Sequence, residues 1–82
     1  HDIAPKAETH ILVIPKQHIV NLMDVKDDQW STVTTVLQSI AKIAEEQGLD
    51  GYRVITNNGE KGAQEVFHMH WHLLAGPSLP GF

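Results

Sequence analysis

Three histidines alternate with large apolar residues in the run His68–Leu74, and this alternation constrains the fold more than any other feature of the chain. Side chains at alternate positions of a β-strand share one face. The run therefore predicts a strand with His68, His70 and His72 on one side. The other side would carry the apolar residues that alternate with these histidines, namely Phe67, Met69, Trp71 and Leu73. Half of the chain's six histidines lie in this window, which favours a chemical role over a solvated polar face.

A shared metal ion is one alternative role for these histidines. Neighbouring imidazoles on a strand can bind one zinc ion at about 2.0–2.1 Å. At roughly 3.3 Å per residue, however, His68 and His72 are separated by about 13 Å along a strand, so all three cannot converge on one ion. The chain has no cysteine to complete a ligand set. We therefore predict no metal site.

Length and charge limit the class of protein. The 82 residues predict one domain, residues 1–82, near the lower limit of what folds without disulfides or metals, and this favours a partner. A net charge of −4 argues against broad contact with a nucleic-acid backbone. No run approaches the roughly 18 apolar residues of a membrane span, and no secretory signal is recognisable. Together with the absence of cysteine, this predicts a cytoplasmic protein that binds neither nucleic acid nor membrane.

Two further strands and a loop are predicted around the histidine run. Ile11–Ile14 is a β-branched apolar run that predicts a short buried strand ending before Pro15, and Tyr52–Thr56 is the next predicted strand. The loop Asn57–Gln64 is rich in residues that tolerate positive φ and leads into the histidines. A loop of this kind can bring backbone N–H groups to a phosphate.

One long amphipathic helix is predicted between the two strands, from Asp27 to Gln47. Asp27 or Asp28 would cap its start, and Gly48 would follow its end in the left-handed conformation. Its apolar residues recur at intervals of three and four and would share the buried face: Trp30, Val33, Val36, Leu37, Ile40, Ile43 and Ala44.

The segment Gly62–Leu74 resembles the signature of the histidine triad superfamily, His-φ-His-φ-His-φ-φ, in which φ is apolar. Residues His1–His18 resemble the upstream block of its Hint branch, the histidine triad nucleotide-binding proteins, and Gly51–Asn57 resembles the middle strand. The likeness covers nearly the whole chain. It implies an α+β domain of the HIT-like fold, with an antiparallel sheet and one main amphipathic helix, usually assembled as a homodimer.

The resemblance also implies an activity, the hydrolysis of phosphoramidate or acyl-phosphate links to purine nucleoside monophosphates, without a cofactor. By this likeness His70 is the nucleophile that forms a nucleotidyl-histidine intermediate, with His68 and His72 on either side and His10 completing the set. Such a nucleophile needs a hydrogen bond at one ring nitrogen, which fixes the tautomer so that the other nitrogen attacks. We expect a backbone carbonyl near His68 to provide it. His72 or His10 would carry the proton for the leaving amine.

The same resemblance assigns the nucleotide contacts. Asp2 matches the carboxylate that binds the ribose hydroxyls, and Ile3 matches an apolar contact to the base. Asn57 and backbone donors in the following loop would hold the phosphate charge. The loop residues predicted to bind nucleotide are Gln64, Glu65 and Val66.

Three features differ from the family pattern, and a fourth, His18, matches it but is given a structural role. The family has a helix and a hairpin ahead of the position of His1, and we expect both to be absent from this chain, which would weaken base recognition. Ala63 stands where glycine is common, so its methyl group restricts the loop if φ is positive there. Glu65 replaces a serine that contacts the leaving group in some relatives. His18 also matches a family histidine, and we interpret it as structural.

Two other functions compete with the phosphoramidase reading. A non-catalytic module that binds nucleotide or protein could keep every histidine. A sister branch with the same triad hydrolyses dinucleoside polyphosphates, although the block that begins at His1 fits the Hint branch better.

Overall fold

The computed structural model describes residues 9–76 and Leu79; Asp2 and Ile3 lie outside this range. Three antiparallel strands form a sheet in the order β1-β3-β2, with β1 at Thr9–Val13, β2 at Arg53–Thr56 and β3 at Trp71–Ala75. One long helix, α1, spans Trp30–Glu46. Short 3-10 helices lie at Leu22–Asp24, Asp27–Gln29 and Glu60–Gly62. The arrangement is α+β, as predicted.

The sheet has two unlike sides. On the helix side, Trp71 and Leu73 of β3 pair with Val13 and Ile11 of β1, and they pack against Val33, Val36 and Ile40 of α1, together with Ile19 and Met69. On the histidine side, His72 lies between its cross-strand neighbours Leu12 and Ile55. Leu12 is 52 % exposed, whereas Leu74, two residues beyond His72, is fully buried. The histidine side is therefore more exposed to solvent around Leu12 and His72 than around Leu74.

Strand β3 begins later than the alternation of residues predicts. The histidine run was expected to be a strand from His68 to Leu74, but the ladder starts at Trp71. Pro15 ends the pairing partner β1, and the Met69 N–H donates instead to the Ile19 carbonyl at 2.6 Å. The prediction for Phe67 is also wrong, because this side chain is half exposed.

Helix α1 confirms the predicted position but corrects its start and the width of its buried face. A 3-10 turn, Asp27–Gln29, precedes Trp30, and the Gln29 side chain accepts from the Lys26 N–H at 2.9 Å. Within the described part of the chain, neither Asp27 nor Asp28 caps the helix. Trp30 and Leu37 are nearly half exposed, because the sheet covers a narrower stripe than the periodicity suggests; the buried residues are Val33, Val36, Ile40 and Ala44.

The end of α1 and the limits of β1 and β2 lie close to their predicted positions. Gly48 has a φ of 66°, which confirms the left-handed residue expected beyond α1. Strands β1 and β2 confirm the two predicted strands with shifts of one or two residues at their ends. Across residues 9–76, no helix has the length and apolar composition needed to cross a membrane.

Candidate active site

The ring of His70 is oriented by the chain that precedes it. Its Nδ1 lies 2.9 Å from the carbonyl oxygen of His68. A carbonyl oxygen can only accept, so Nδ1 carries a proton, and in the neutral ring Nε2 carries the lone pair. The sequence predicts an orienting carbonyl at this place. The arrangement leaves Nε2 of His70 as a neutral nitrogen able to attack an electrophile.

His72 and His10 form a second imidazole arrangement beside His70. Nε2 of His10 lies 2.8 Å from Nδ1 of His72, so one of these nitrogens donates a proton and the other accepts it. The ring centroids of His70 and His72 are 5.3 Å apart in an edge-to-face arrangement. The structure thus brings His10, His70 and His72 together, although 62 positions separate His10 from His72.

The environment of His72 favours its neutral form. Partial burial lowers the pKa of His72 below its ordinary value of 6.5, and positive charge on His10 or His70 would lower it further. A neutral imidazole still carries one N–H. That N–H is a very weak acid, so neutral His72 acts as a proton acceptor, and it can donate only while the His10–His72 pair holds an additional proton.

His68 is placed differently from the other two histidines of the run. Its Nε2 donates to the carbonyl oxygen of Pro15 at 3.0 Å. Its ring meets His18 edge to face, with centroids 5.0 Å apart. His68 therefore anchors the segment whose carbonyl orients His70, and His18 packs against that anchor.

The loop before the histidines holds the other predicted binding residues. Asn57 donates from Nδ2 to the carbonyl of Gly62 at 2.9 Å, so its amide braces the loop in this structure. Gln64 is 3 % exposed, and its side chain bonds within the protein. Glu65 and Val66 are exposed. Ala63 has a φ of 66°, in the left-handed region that favours glycine. Its methyl group therefore restricts the loop, which is the consequence predicted for a positive φ at this position.

An open cavity of about 260 Å³ lies against the histidines. Its walls are Leu12, Ile14, Val66, His68 and His70. The lining is mainly apolar, so a reacting group held there would be partly shielded from water, which strengthens electrostatic contacts. Within residues 9–76, no three His, Cys, Asp or Glu side chains are grouped so that they could hold a metal ion.

Three contributions to the site were missed by sequence reasoning. The sequence predicts a buried strand at Leu12 and Ile14, but both side chains are half exposed and line the cavity. The sequence places Thr56 in a strand but does not predict that its Oγ1 donates to the His70 carbonyl at 2.8 Å. The available signal was the position of Thr56, directly before the loop residue Asn57.

Comparison with known proteins agrees with this fold. Purine nucleoside phosphoramidase of Escherichia coli is 45 % identical over 80 residues, which are 95 % of this chain and 67 % of that protein. A histidine triad protein from Clostridium difficile has a TM-score of 0.86 and 47 % identity, covering 93 % of this chain and 68 % of that one. A HIT family hydrolase from Clostridium thermocellum has a TM-score of 0.84 and 38 % identity, covering 99 % and 72 %. The chain thus spans about two thirds of the length of such relatives.

These likenesses confirm the HIT-like α+β fold that the sequence predicts. The family model described as "HIT domain" matches residues 1–79, nearly the whole chain. This chain belongs to the HIT domain family.

Proposed function

We propose that the protein hydrolyses purine nucleoside phosphoramidates through a covalent intermediate on His70. The observation that carries the proposal is the hydrogen bond from Nδ1 of His70 to the His68 carbonyl, which selects the neutral tautomer with the lone pair on Nε2. The 45 % identity to a purine nucleoside phosphoramidase supports the choice of substrate. Related acyl-phosphate links to a nucleoside monophosphate would react by the same steps.

The first step transfers the nucleotidyl group to the protein. Nε2 of His70 attacks the phosphorus as the phosphorus–nitrogen bond breaks, and the leaving amine takes a proton from the pair formed by His72 and His10. The pair begins this step with one additional proton, and after giving it to the amine it consists of two neutral rings joined by the 2.8 Å hydrogen bond. Backbone donors in the loop 62–66 and the amide of Asn57 would stabilise the phosphoryl oxygens.

The second step releases the product. Water attacks the phosphorus of the nucleotidyl-His70 intermediate, and the bond to Nε2 breaks. The proton lost by the water returns to the His72–His10 pair, which restores the starting state. The nucleoside monophosphate leaves with the oxygen atom of that water.

The test is hydrolysis of a fluorogenic adenosine 5′-phosphoramidate by the wild type, His70→Ala and a control, Gln38→Ala. Gln38 lies exposed on α1. We expect His70→Ala to lose at least about 10³-fold in kcat/KM, because the nucleophile is removed. Gln38→Ala should retain wild-type turnover, and circular dichroism should show both variants folded. Turnover that survives in His70→Ala would contradict the proposal.

Further measurements separate the competing functions. With nucleotide-labelled substrate, label should stay on the wild-type chain after rapid acid-free denaturation, and none should stay on His70→Ala. Binding without turnover would favour a non-catalytic module. Faster turnover of a diadenosine polyphosphate than of the phosphoramidate would favour the polyphosphate hydrolase.

We also propose that the protein works as a homodimer. Apolar side chains that the helix side leaves exposed support this: Trp30 and Leu37 on α1, with Tyr52 and Val54 at the described edge of the sheet. A dimer would bury these exposed apolar groups. Sedimentation equilibrium should give twice the monomer mass.

A further inference from the structure

Thr56 makes a hydrogen bond to the backbone of the residue proposed as the nucleophile. It is the last residue of β2, and it pairs with Trp71, the first residue of β3. From this position its Oγ1 donates to the carbonyl oxygen of His70 at 2.8 Å. Both groups are partly buried, so water competes for this bond less than it would on an open surface.

This bond holds His70 at a point where the sheet no longer fixes it through registered pairs. The pairs of β3 with both neighbouring strands end at Trp71, one residue after His70. On the other side, His70 is joined through Nδ1 to the carbonyl of His68 at 2.9 Å. The first bond therefore ties the backbone of His70 to the end of β2, and the second sets the rotation of its ring.

The two bonds have different consequences for attack by Nε2. Rotation of the ring selects which nitrogen faces the cavity, whereas movement of the backbone shifts the whole imidazole relative to the loop that begins at Asn57. Thr56 is adjacent to Asn57 in the chain, and Asn57 is bonded across this loop to Gly62. A misplacement of about 1 Å at a reacting atom can cost on the order of 100-fold in rate. One hydroxyl thus links the position of the nucleophile to the position of the loop.

We propose that Thr56 is a positioning residue for His70, acting through the hydrogen bond from Oγ1 to the His70 carbonyl. The inference depends on the proposed function for its kinetic consequence. It predicts that loss of the hydroxyl lowers the rate of attack and leaves substrate binding nearly unchanged, because Thr56 does not line the cavity.

The kinetic test compares Thr56→Val, Thr56→Ser and a matched control. Valine keeps the branched shape of threonine without its hydroxyl, and serine keeps the hydroxyl. Thr35→Val is the control, because Oγ1 of Thr35 also donates to a carbonyl, that of Ser31, but on the exposed face of α1. We expect Thr56→Val to lose about tenfold or more in kcat with KM within about twofold. Thr56→Ser should recover most of this loss, and Thr35→Val should match the wild type.

Each kinetic result either supports or overturns the inference. A kcat for Thr56→Val equal to that of the wild type or the Thr35→Val control would overturn it. Failure of serine to recover the rate would also overturn it, since the effect would then belong to the methyl group. Melting temperatures measured on the same variants separate a general loss of stability from a loss of rate.

A measurement without substrate keeps the inference separate from the proposed function. ¹⁵N NMR of the imidazoles reports which nitrogen of His70 carries the proton. We expect an Nδ1-protonated ring in the wild type. In Thr56→Val, displacement of the His70 backbone should weaken the bond from Nδ1 to the His68 carbonyl and shift the signals towards the average of the two tautomers, and Thr56→Ser should restore them. If the wild type hydrolyses no phosphoramidate, the proposed function fails, and this spectrum still decides the role of Thr56. Unchanged His70 signals in Thr56→Val would overturn that role.

Discussion

The helix side and the histidine side of the sheet use the same strands but are held by different interactions. On the helix side, Leu73 is fully buried and packs among apolar neighbours. The hydrophobic effect that stabilises this packing is proportional to the buried apolar area and has no preferred direction. On the histidine side, the rings of His10, His68, His70 and His72 are fixed by hydrogen bonds of 2.8 to 3.0 Å. Hydrogen bonds set direction. One side therefore supplies most of the stability, and the other supplies the geometry of the site.

The most severe test of this difference removes the same atoms from each side. Leu73→Ala, on the helix side, should lower the free energy of unfolding by about 2–5 kcal/mol, because a full side chain is lost from a packed core. A domain of this length has a total of about 4–12 kcal/mol, so the variant would be close to unfolding. Urea denaturation followed by circular dichroism measures the effect.

Leu12→Ala is the matched variant on the histidine side. Leu12 is 52 % exposed and lines the cavity. We expect a loss below about 1 kcal/mol in stability and a raised KM for the phosphoramidate, because the apolar wall is shortened. Equal losses of stability in the two variants would show that the sides do not differ as described.

The second test replaces a buried hydrogen-bonding centre next to the histidines. The Gln64 amide makes four hydrogen bonds: Oε1 accepts from Asn21 Nδ2 and Gly59 N at 2.8 Å, and Nε2 donates to the carbonyls of Val20 at 2.7 Å and Val66 at 3.0 Å. In Gln64→Glu, a carboxylate would face two carbonyls to which it cannot donate. We expect a loss of about 2–3 kcal/mol and impaired turnover, because Val66 lines the cavity.

Gln38→Glu adds the same charge on the exposed surface of α1 and serves as the control for Gln64→Glu. Its unfolding free energy should stay within about 0.5 kcal/mol of the wild type. A Gln64→Glu protein as stable and active as this control would mean that the loop does not depend on the Gln64 network.

Local sequence patterns predict the elements of the fold better than their limits. The helical spacing of Val33, Val36 and Ile40 locates α1 because these residues face one sheet. The same spacing misplaces Leu37, since periodicity does not say how wide a stripe the sheet covers. The alternation at His68 and His70 predicts an extended chain, but a ladder also needs a partner strand, and Pro15 ends that partner.

The candidate site required information that no local pattern contains. The carbonyl of His68 could be anticipated, because it is two residues from His70 in the chain. The meeting of His10 with His72 came from the family resemblance, since 62 positions separate them. The bonds of Thr56 and Gln64 join positions 14 and 44 residues apart, and many hydroxyl and amide groups in the chain could have served equally.

The pH dependence of stability should reveal the cost of partly burying His72 beside two other imidazoles. Partial burial, followed by the effects of His10 and His70, lowers the pKa of His72 from 6.5 in the folded state. Between this lowered pKa and 6.5 the unfolded chain binds more protons at His72 than the folded chain does. The free energy of unfolding therefore rises with pH through this window and falls on acidification.

Urea midpoints at pH 7.5 and pH 5.0 for the wild type and His72→Asn measure this contribution. The loss of stability on acidification should be smaller in His72→Asn, because the group with the lowered pKa is absent. An equal loss in both proteins would assign the acid sensitivity to other groups. Gln38→Ala, on the exposed surface of α1, keeps all the histidines and should show the wild-type pH dependence.

The smallest expected effect concerns the backbone of the loop before the histidines. Ala63 has a φ of 66°, a conformation that costs a non-glycine residue roughly 1–2 kcal/mol. Ala63→Gly removes this strain. Glycine also makes the unfolded chain more flexible, which lowers the free energy of unfolding by about 0.4–1 kcal/mol, so we expect a net stabilisation of about 0.5 kcal/mol. The matched variant Ala41→Gly, on the exposed face of α1, should destabilise by about 1 kcal/mol. The opposite signs are the informative result: if Ala63→Gly also destabilised the protein, the loop would not be strained at Ala63, and the histidine side would tolerate alanine there without cost.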